Sequence, residues 1–297
     1  MLHKVGPLQA EVREVPAPVA TAVLLPGLGL GPWMFEPWFD ALAAQKLRVV
    51  APWLPGHGDD QRNVSLDEVL AGVRGLLDAT PGPVTLIGHS FAGLVAQVIA
   101  AERPLHGVVA LCPMLPRGVR ALPEKPQLRA GLRLLPAIAA GRPVKVSWED
   151  YRAGGLSGME EGAAREAYTK ITPWPNQICR DLLKRPAVDP LKVASPVLIT
   201  LGKKDPLVPW DKARLLGDLY EAVVWRYDDL AHMPPLEPTG LRMGRDVARW
   251  AAAPMRPQVI ESEAFMPSEG VGHDVRRQRR GEARKQRSAY GQKKAAR

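Results

Sequence analysis

Gly88-His89-Ser90-Phe91-Ala92-Gly93 puts a serine between small residues, directly after an apolar run and directly before a helical pattern. A chain turning sharply from strand to helix needs small residues two positions before and two after that serine. Larger side chains would collide as the backbone folds back. Gly88 and Ala92 hold those positions. The turn exposes the serine Oγ at a helix N-terminus, where backbone N–H groups favour a developing negative charge. Such a serine can act as a nucleophile if an imidazole takes its proton and an acid orients the imidazole. Two later loops supply those residue types. Gly202-Lys203-Lys204-Asp205-Pro206 follows the apolar run Pro196–Leu201, and Asp228-Asp229-Leu230-Ala231-His232-Met233 follows Ala222–Tyr227. Each lies just past the C-terminal end of an expected strand, where parallel sheets place their chemistry. Asp228 and Asp229 rival Asp205, but they sit three and four residues from His232 on its own loop. Taken alone, the hexapeptide also fits a strand–helix turn with a capping serine, and Lys203–Pro206 fits an ordinary turn.

The elements that must position these residues alternate along the chain. Thr21–Leu25, Lys46–Trp53, Val84–Ile87 and Gly107–Leu111 read as strands; Phe35–Ala44, Leu66–Asp78 and Phe91–Glu102 read as helices between them. Strands apolar on both faces and separated by helices predict a mostly parallel sheet covered by helices on both sides, an α/β fold. Leu8–Val15 reads as an extra edge strand. The alternation stops at Cys112-Pro113. Up to Pro190 the chain has ten prolines and helical stretches at Gln127–Ala140 and Glu160–Thr169, but no clear strand. That block predicts an inserted, mainly helical lid over 113–190. The pattern then resumes with strands Pro196–Leu201 and Ala222–Tyr227 and helices Asp211–Leu219 and Thr239–Ala252, so the core spans 1–112 and 191–260.

The net charge of +9 belongs to the C-terminus. From His273 to Arg297 there are ten Lys/Arg and two acids, which leaves the other residues near neutrality at +1. Residues 261–297 form a basic tail, and 273–297 lack the large apolar side chains that offset ordering entropy, so the tail is expected to be disordered. No run of 18 apolar residues appears, which argues against a membrane-spanning helix. The first twenty residues lack the apolar stretch of a secretory signal, and two cysteines cannot build a disulfide framework. Together these lead us to expect a cytoplasmic protein.

The segments LLPGLGLGPW (24–33), WLPGHG (53–58), GHSFAG (88–93), LGKKDPLVP (201–209) and AHMPPLE (231–237) resemble, in that order, the α/β-hydrolases of the capped serine-esterase type. The resemblance covers roughly 20–112 and 190–253. It implies Ser90 as nucleophile, His232 as general base and acid, and Asp205 as the residue that orients His232. It implies an oxyanion hole from the backbone N–H groups of Leu28 and Phe91. It also implies cofactor-free cleavage of a carboxylic ester through an acyl-enzyme. Two departures stand out: Pro26 occupies a position where many relatives have His, and Ala231 precedes His232 where Gly is common.

Other residues fit blander roles. His57 is expected to shape its loop, and His89 to support the nucleophile turn. The six histidines show no ligand spacing with Cys or carboxylates, so no metal site is expected. Gly27-Leu28-Gly29-Leu30-Gly31 lacks the third glycine of a dinucleotide loop at the required spacing. Cys112 reads as a small buried hydrophobe. Trp33, Trp148 and Trp174 fit either a pocket lining or plain packing. The substrate is expected to be a small-to-medium, partly apolar ester. Thioesterase, acyltransferase, C–C hydrolase, lyase and cofactor-free peroxidase chemistry share this pattern. Ser rather than Asp at position 90 argues against halide displacement. A binding protein acting through its basic tail, on RNA or an anionic surface, is a further alternative.

Overall fold

The computed structural model describes residues 2–119, 125–256 and 271–273, the backbone alone for 125–127 and 271–273. The chain opens with β1 (Leu2–Val5), β2 (Leu8–Arg13) and β3 (Ala20–Leu25), then α1 (Glu36–Ala44), β4 (Leu47–Pro52), α2 (Leu66–Asp78), β5 (Val84–His89), α3 (Phe91–Glu102) and β6 (Gly107–Leu111). Four helices follow: α4 (Lys125–Ala139), α5 (Trp148–Ala153), α6 (Glu161–Lys170) and α7 (Asn176–Leu183). β7 (Val197–Gly202), α8 (Trp210–Tyr220), β8 (Val223–Tyr227), α9 (Gly240–Ala252) and β9 (Val271–His273) complete it.

Among the described residues nine strands form one sheet in the order β1-β2-β4-β3-β5-β6-β7-β8-β9. From β4 to β8 all neighbours are parallel; β1, β2 and β9 pair antiparallel at the edges. Every residue of β3, β5, β6 and β7 is buried. That explains their unbroken apolar sequences: helices cover both faces, so neither face selects polar side chains. α1 packs on α9, while α3 lies against β5 and β6. The Trp38 Nε1–H donates to the Gly240 carbonyl at 3.1 Å and fastens α1 to α9. α2 begins with a capping box: the Ser65 Oγ accepts from the Glu68 N–H, and the Glu68 carboxylate accepts from the Ser65 N–H. That satisfies two otherwise orphaned donors.

Two of the differences from the sequence reading are at edges. β1 is an additional strand before the expected one, and its side chains are mostly exposed, so it carries no apolar signal. β9 falls within the segment expected to be disordered: Val271–His273 pairs with Tyr227–Trp225. Edge pairing uses main-chain groups and needs no apolar side chain. The rest of the expected tail, like 120–124, lies outside the described residues. Between β6 and β7 the regular elements among the described residues are helices, apart from one bridge between Val144 and Trp174. α5 and α7 are additions to the helices read from the sequence; with six and eight residues they are too short to show a clear period.

Candidate active site

Ser90 sits between β5 and α3 with φ +52° and ψ −117°. A side chain other than glycine at positive φ is strained by about 1–3 kcal/mol and persists only where its surroundings over-determine it. Three main-chain hydrogen bonds do so here. The Ser90 N–H donates to Leu111 O at 2.9 Å, and the Ser90 carbonyl accepts from Gly93 at 2.9 Å and Met114 at 2.8 Å. The small residues at the turn have a direct cause. A Cβ at Gly88 would collide with the Ala92 carbonyl oxygen, whereas the turn accommodates the Ala92 methyl fully buried. Sequence reasoning overlooked the next position, Gly93, where a Cβ would come 2.8 Å from the Pro113 ring.

The other two loops converge on this serine. The buried Asp205 follows β7, and its Oδ1 accepts from the N–H groups of Leu207 (2.8 Å) and Val208 (3.2 Å). Its Oδ2 lies 2.9 Å from His232 Nδ1. His232, buried after β8, brings Nε2 within 3.0 Å of the Ser90 Oγ. A carboxylate only accepts, so the Nδ1–H donates to Asp205 and leaves Nε2 free to accept the serine proton. The β7 and β8 loops are stitched together by Lys203 N–H to Tyr227 O (2.8 Å) and Lys204 N–H to Leu230 O (2.9 Å). The rival acids are engaged elsewhere: Asp228 pairs with Lys203 and Arg226, and Asp229 with Arg242.

His89 supports His232. Its Nε2–H donates to the His232 carbonyl at 2.8 Å, and the two ring centroids lie 5.1 Å apart. Burial, then repulsion by the His232 ring, pushes its pKa down to about 3, against the pull of that hydrogen bond. His89 is therefore a neutral donor at any physiological pH. His57 donates through Nδ1 to Pro55 O at 2.9 Å, which shapes its own loop; its ring stacks on Phe91 at 6.5 Å, and burial lowers its pKa.

Leu28 and Phe91 follow neighbouring strands, β3 and β5. β3 and β5 are parallel neighbours, with Leu25 opposite Gly88, so the loop after β3 leaves the sheet beside the serine turn. The Phe91 N–H opens α3 and has no acceptor inside the helix. The helical insertion reaches this loop. The Thr172 N–H donates to Gly29 O at 2.9 Å, and a Cβ at Gly29 (φ +76°) would lie 2.6 Å from Thr172 O and 2.8 Å from the Trp174 ring. Trp174 in turn donates its Nε1–H to the buried Tyr151 hydroxyl at 3.0 Å.

Cys112, Asp205 and His232 are the one group of ligand-type side chains that converges among the described residues, with donor atoms within 4.8 Å. Asp205 and His232 are bound to each other. Burial, then the Asp205 charge, pushes the Cys112 thiol well above its usual pKa. A protonated thiol is a poor metal ligand. One further residue belongs to the site and was not singled out from the sequence. The Glu237 carboxylate accepts from the Ala231 N–H at 2.6 Å and the Met233 N–H at 2.8 Å, on either side of His232.

A serine on a strained strand–helix turn, with an imidazole and a buried acid delivered by the next parallel strands, defines a class of protein. The chain belongs to the alpha/beta hydrolase family, whose model matches residues 22–274. A magnesium-chelatase 30 kDa subunit from Rhodobacter capsulatus is 29% identical over 228 residues, covering 70% of this chain and 78% of that protein. The fold is similar to a Paleococcus ferrophilus monoacylglycerol lipase (TM-score 0.65, 20% identity, 82% of this chain and 98% of that one). It is also similar to a thermophilic esterase from Thermogutta terrifontis (TM-score 0.64, 19% identity, 82% and 93%). A meta-cleavage product hydrolase from Pseudomonas fluorescens gives a TM-score of 0.62 at 19% identity, over 84% and 97%.

Proposed function

We propose that the protein is a serine hydrolase that cleaves carboxylic esters of small-to-medium, partly apolar substrates through an acyl-enzyme. The observation that carries this reading is the continuous chain from Ser90 Oγ to His232 Nε2 (3.0 Å) and from His232 Nδ1 to Asp205 (2.9 Å) on a strained turn. The Ser90 oxygen attacks the ester carbonyl carbon while His232 Nε2 takes its proton. The negative charge that develops on the carbonyl oxygen is met by the N–H groups of Leu28 and Phe91. His232 then returns the proton to the departing alcohol oxygen, and the C–O bond breaks. A water molecule repeats the sequence against the acyl group, with His232 again as base, and frees the acid and the serine. Asp205 holds the imidazole in the accepting tautomer and stabilises the imidazolium.

The insertion over 113–190 acts as a lid on this reading, supported by the contacts of Thr172 and Trp174 with the Gly29 loop. Esterase and lipase relatives of the same fold agree with the assignment. The Rhodobacter relative's name would instead make the chain a magnesium-chelatase subunit. Among the described residues, the ligand-type cluster has two of its three members, Asp205 and His232, engaged in the Ser–His–Asp hydrogen bonds, which favours the hydrolase reading. Two buried, unpaired cysteines fit a reducing, cytoplasmic setting. The test is hydrolysis of p-nitrophenyl esters of increasing chain length by wild type and Ser90→Ala. Turnover that peaks at one chain length and vanishes in the variant supports the proposal; equal rates for the two proteins overturn it.

A further inference from the structure

Ala231, His232 and Met233 form an irregular stretch after β8, and a catalytic imidazole there needs something to fix its main chain. Glu237 does this from the far side of the 3-10 turn Pro234–Leu236. Its two carboxylate oxygens take the two N–H groups that bracket His232, at 2.6 and 2.8 Å. The turn itself is closed by Leu236 N–H to Met233 O (2.9 Å) and Glu237 N–H to Pro234 O (3.2 Å). A carboxylate gripping both sides of one residue fixes that residue's carbonyl and Cα direction, and hence the aim of its ring.

The carboxylate is covered by the insertion. The turn after α5 is held by Leu156 N–H to Tyr151 O (2.9 Å) and Met159 N–H to Leu156 O (3.2 Å). The Arg152 guanidinium donates to Leu156 O (2.7 Å) and Ser157 O (3.1 Å). This brings Gly158 against Glu237 so closely that a Cβ there would collide with the Glu237 carboxylate and lie 2.8 Å from the Ala231 Cβ. Gly155 in the same turn faces the Met233 methyl, with 3.6 Å for an added Cβ. Glu237 is left 5% exposed. The two amide bonds it makes are therefore shielded from competing water by a segment that belongs to the insertion, not to the sheet.

We propose that Glu237 is the positioning residue of His232, and that the inserted turn at Gly158 sets its geometry, so that the insertion governs proton transfer at Ser90. This rests on the hydrolase reading above. It goes further by making the insertion part of the base's alignment, not only a cover. Burial raises the Glu237 pKa above the usual carboxylate value, and the two N–H bonds to the loop oppose that rise.

The experiment compares Glu237→Gln, Glu237→Asp, Gly158→Ala and the double variant Gly158→Ala/Glu237→Asp, with Gly162→Ala as control because an added Cβ there meets nothing within 4 Å. The measurements are kcat and KM on the preferred p-nitrophenyl ester, thermal unfolding, and the far-downfield proton NMR signal of the His232 Nδ1–H. A glutamine amide offers an N–H₂ where the loop offers an N–H, so Glu237→Gln loses one of the two bonds. The expected result is a kcat loss of roughly 100-fold with KM nearly unchanged, the size of effect a displacement of about 1 Å produces. The downfield signal should broaden. Gly158→Ala should lose about tenfold in kcat in the same way, and Gly162→Ala nothing. The shorter aspartate side chain at position 237 leaves room for the methyl added at position 158, so the double variant should lose less than the product of the two single losses. Glu237→Gln or Gly158→Ala with wild-type kcat overturns the proposal, as does a loss seen only in thermal stability. If Glu237→Gln fails to fold, Gly158→Ala decides alone. If wild type hydrolyses no ester, the hydrolase reading fails, and the NMR signal still answers the positioning claim.

Discussion

Asp205→Asn is the substitution whose effect follows most directly from the hydrogen bonds. The carboxylate has two duties: Oδ1 accepts from Leu207 and Val208, and Oδ2 accepts from His232. An asparagine has one oxygen. Turning it toward Leu207 and Val208 preserves two bonds, and the opposite choice sets an N–H₂ group against two N–H donors. The first orientation wins and aims the N–H₂ at His232 Nδ1. That nitrogen must then accept, so the imidazole proton moves to Nε2, which donates toward Ser90 instead of accepting from it. The ring can no longer serve as base. A wrong tautomer in an otherwise intact triad costs about 10⁴-fold in kcat, equivalent to about 5 kcal/mol of barrier. KM should change little, and the melting temperature should fall by no more than a few degrees because all three contacts at residue 205 survive in altered form. Steady-state kinetics on the preferred p-nitrophenyl ester, together with a thermal melt, measure both. Asp228→Asn and Asp229→Asn, whose carboxylates are exposed and pair with Lys203, Arg226 and Arg242 away from His232, should stay within about threefold of wild type, since surface pairs contribute about 0–1 kcal/mol. A folded Asp205→Asn protein that keeps a tenth or more of wild-type kcat would refute the reasoning, as would a larger loss in Asp228→Asn.

Acid should destabilise the protein before the carboxylates titrate. His89 and His57 are buried neutral with lowered pKa values, so the unfolded chain binds more protons below about pH 6.5, and stability falls with pH at up to about 1.4 kcal/mol per unit for each fully shifted group. Urea unfolding between pH 6.5 and 5 should show that slope, reduced in His89→Gln; a flat profile contradicts it. Gly88→Ala should not yield a stable protein, since its Cβ meets the Ala92 carbonyl; a soluble variant with a wild-type melting temperature would show that the turn has slack. Cys112 should resist alkylation in the folded state at pH 8, because burial keeps its thiol protonated, and should react readily in urea. Removing the residues after His273 should leave ester turnover unchanged, because every group in the proposed mechanism, Glu237 included, precedes that point.

The candidate site was legible because its constraints are local. Gly88 and Ala92 around Ser90 report a steric need of a single turn, and Asp205 and His232 each follow an apolar run whose end marks the tip of a parallel strand. The strands β3, β5, β6 and β7 were legible for a related reason: burial on both faces strips them of most polar residues. What stayed hidden depends on contacts between distant segments. Glu237 lies in AHMPPLE as one acid among 31, and nothing nearby shows that its oxygens fold back on Ala231 and Met233. Gly158 gains its meaning only when the inserted turn meets that carboxylate. α5 and α7 are too short for a period, and β1 and β9 pair through main-chain groups that any sequence supplies.

The central claim is that Ser90 is a nucleophile activated by His232. The most direct test is incubation with a fluorophosphonate followed by mass spectrometry of the digested protein. The account predicts one adduct, on the peptide that contains Ser90, formed rapidly in wild type, absent in Ser90→Ala and slowed by several orders of magnitude in His232→Ala. Folded wild type that forms no adduct, or an adduct formed equally fast without His232, would contradict it.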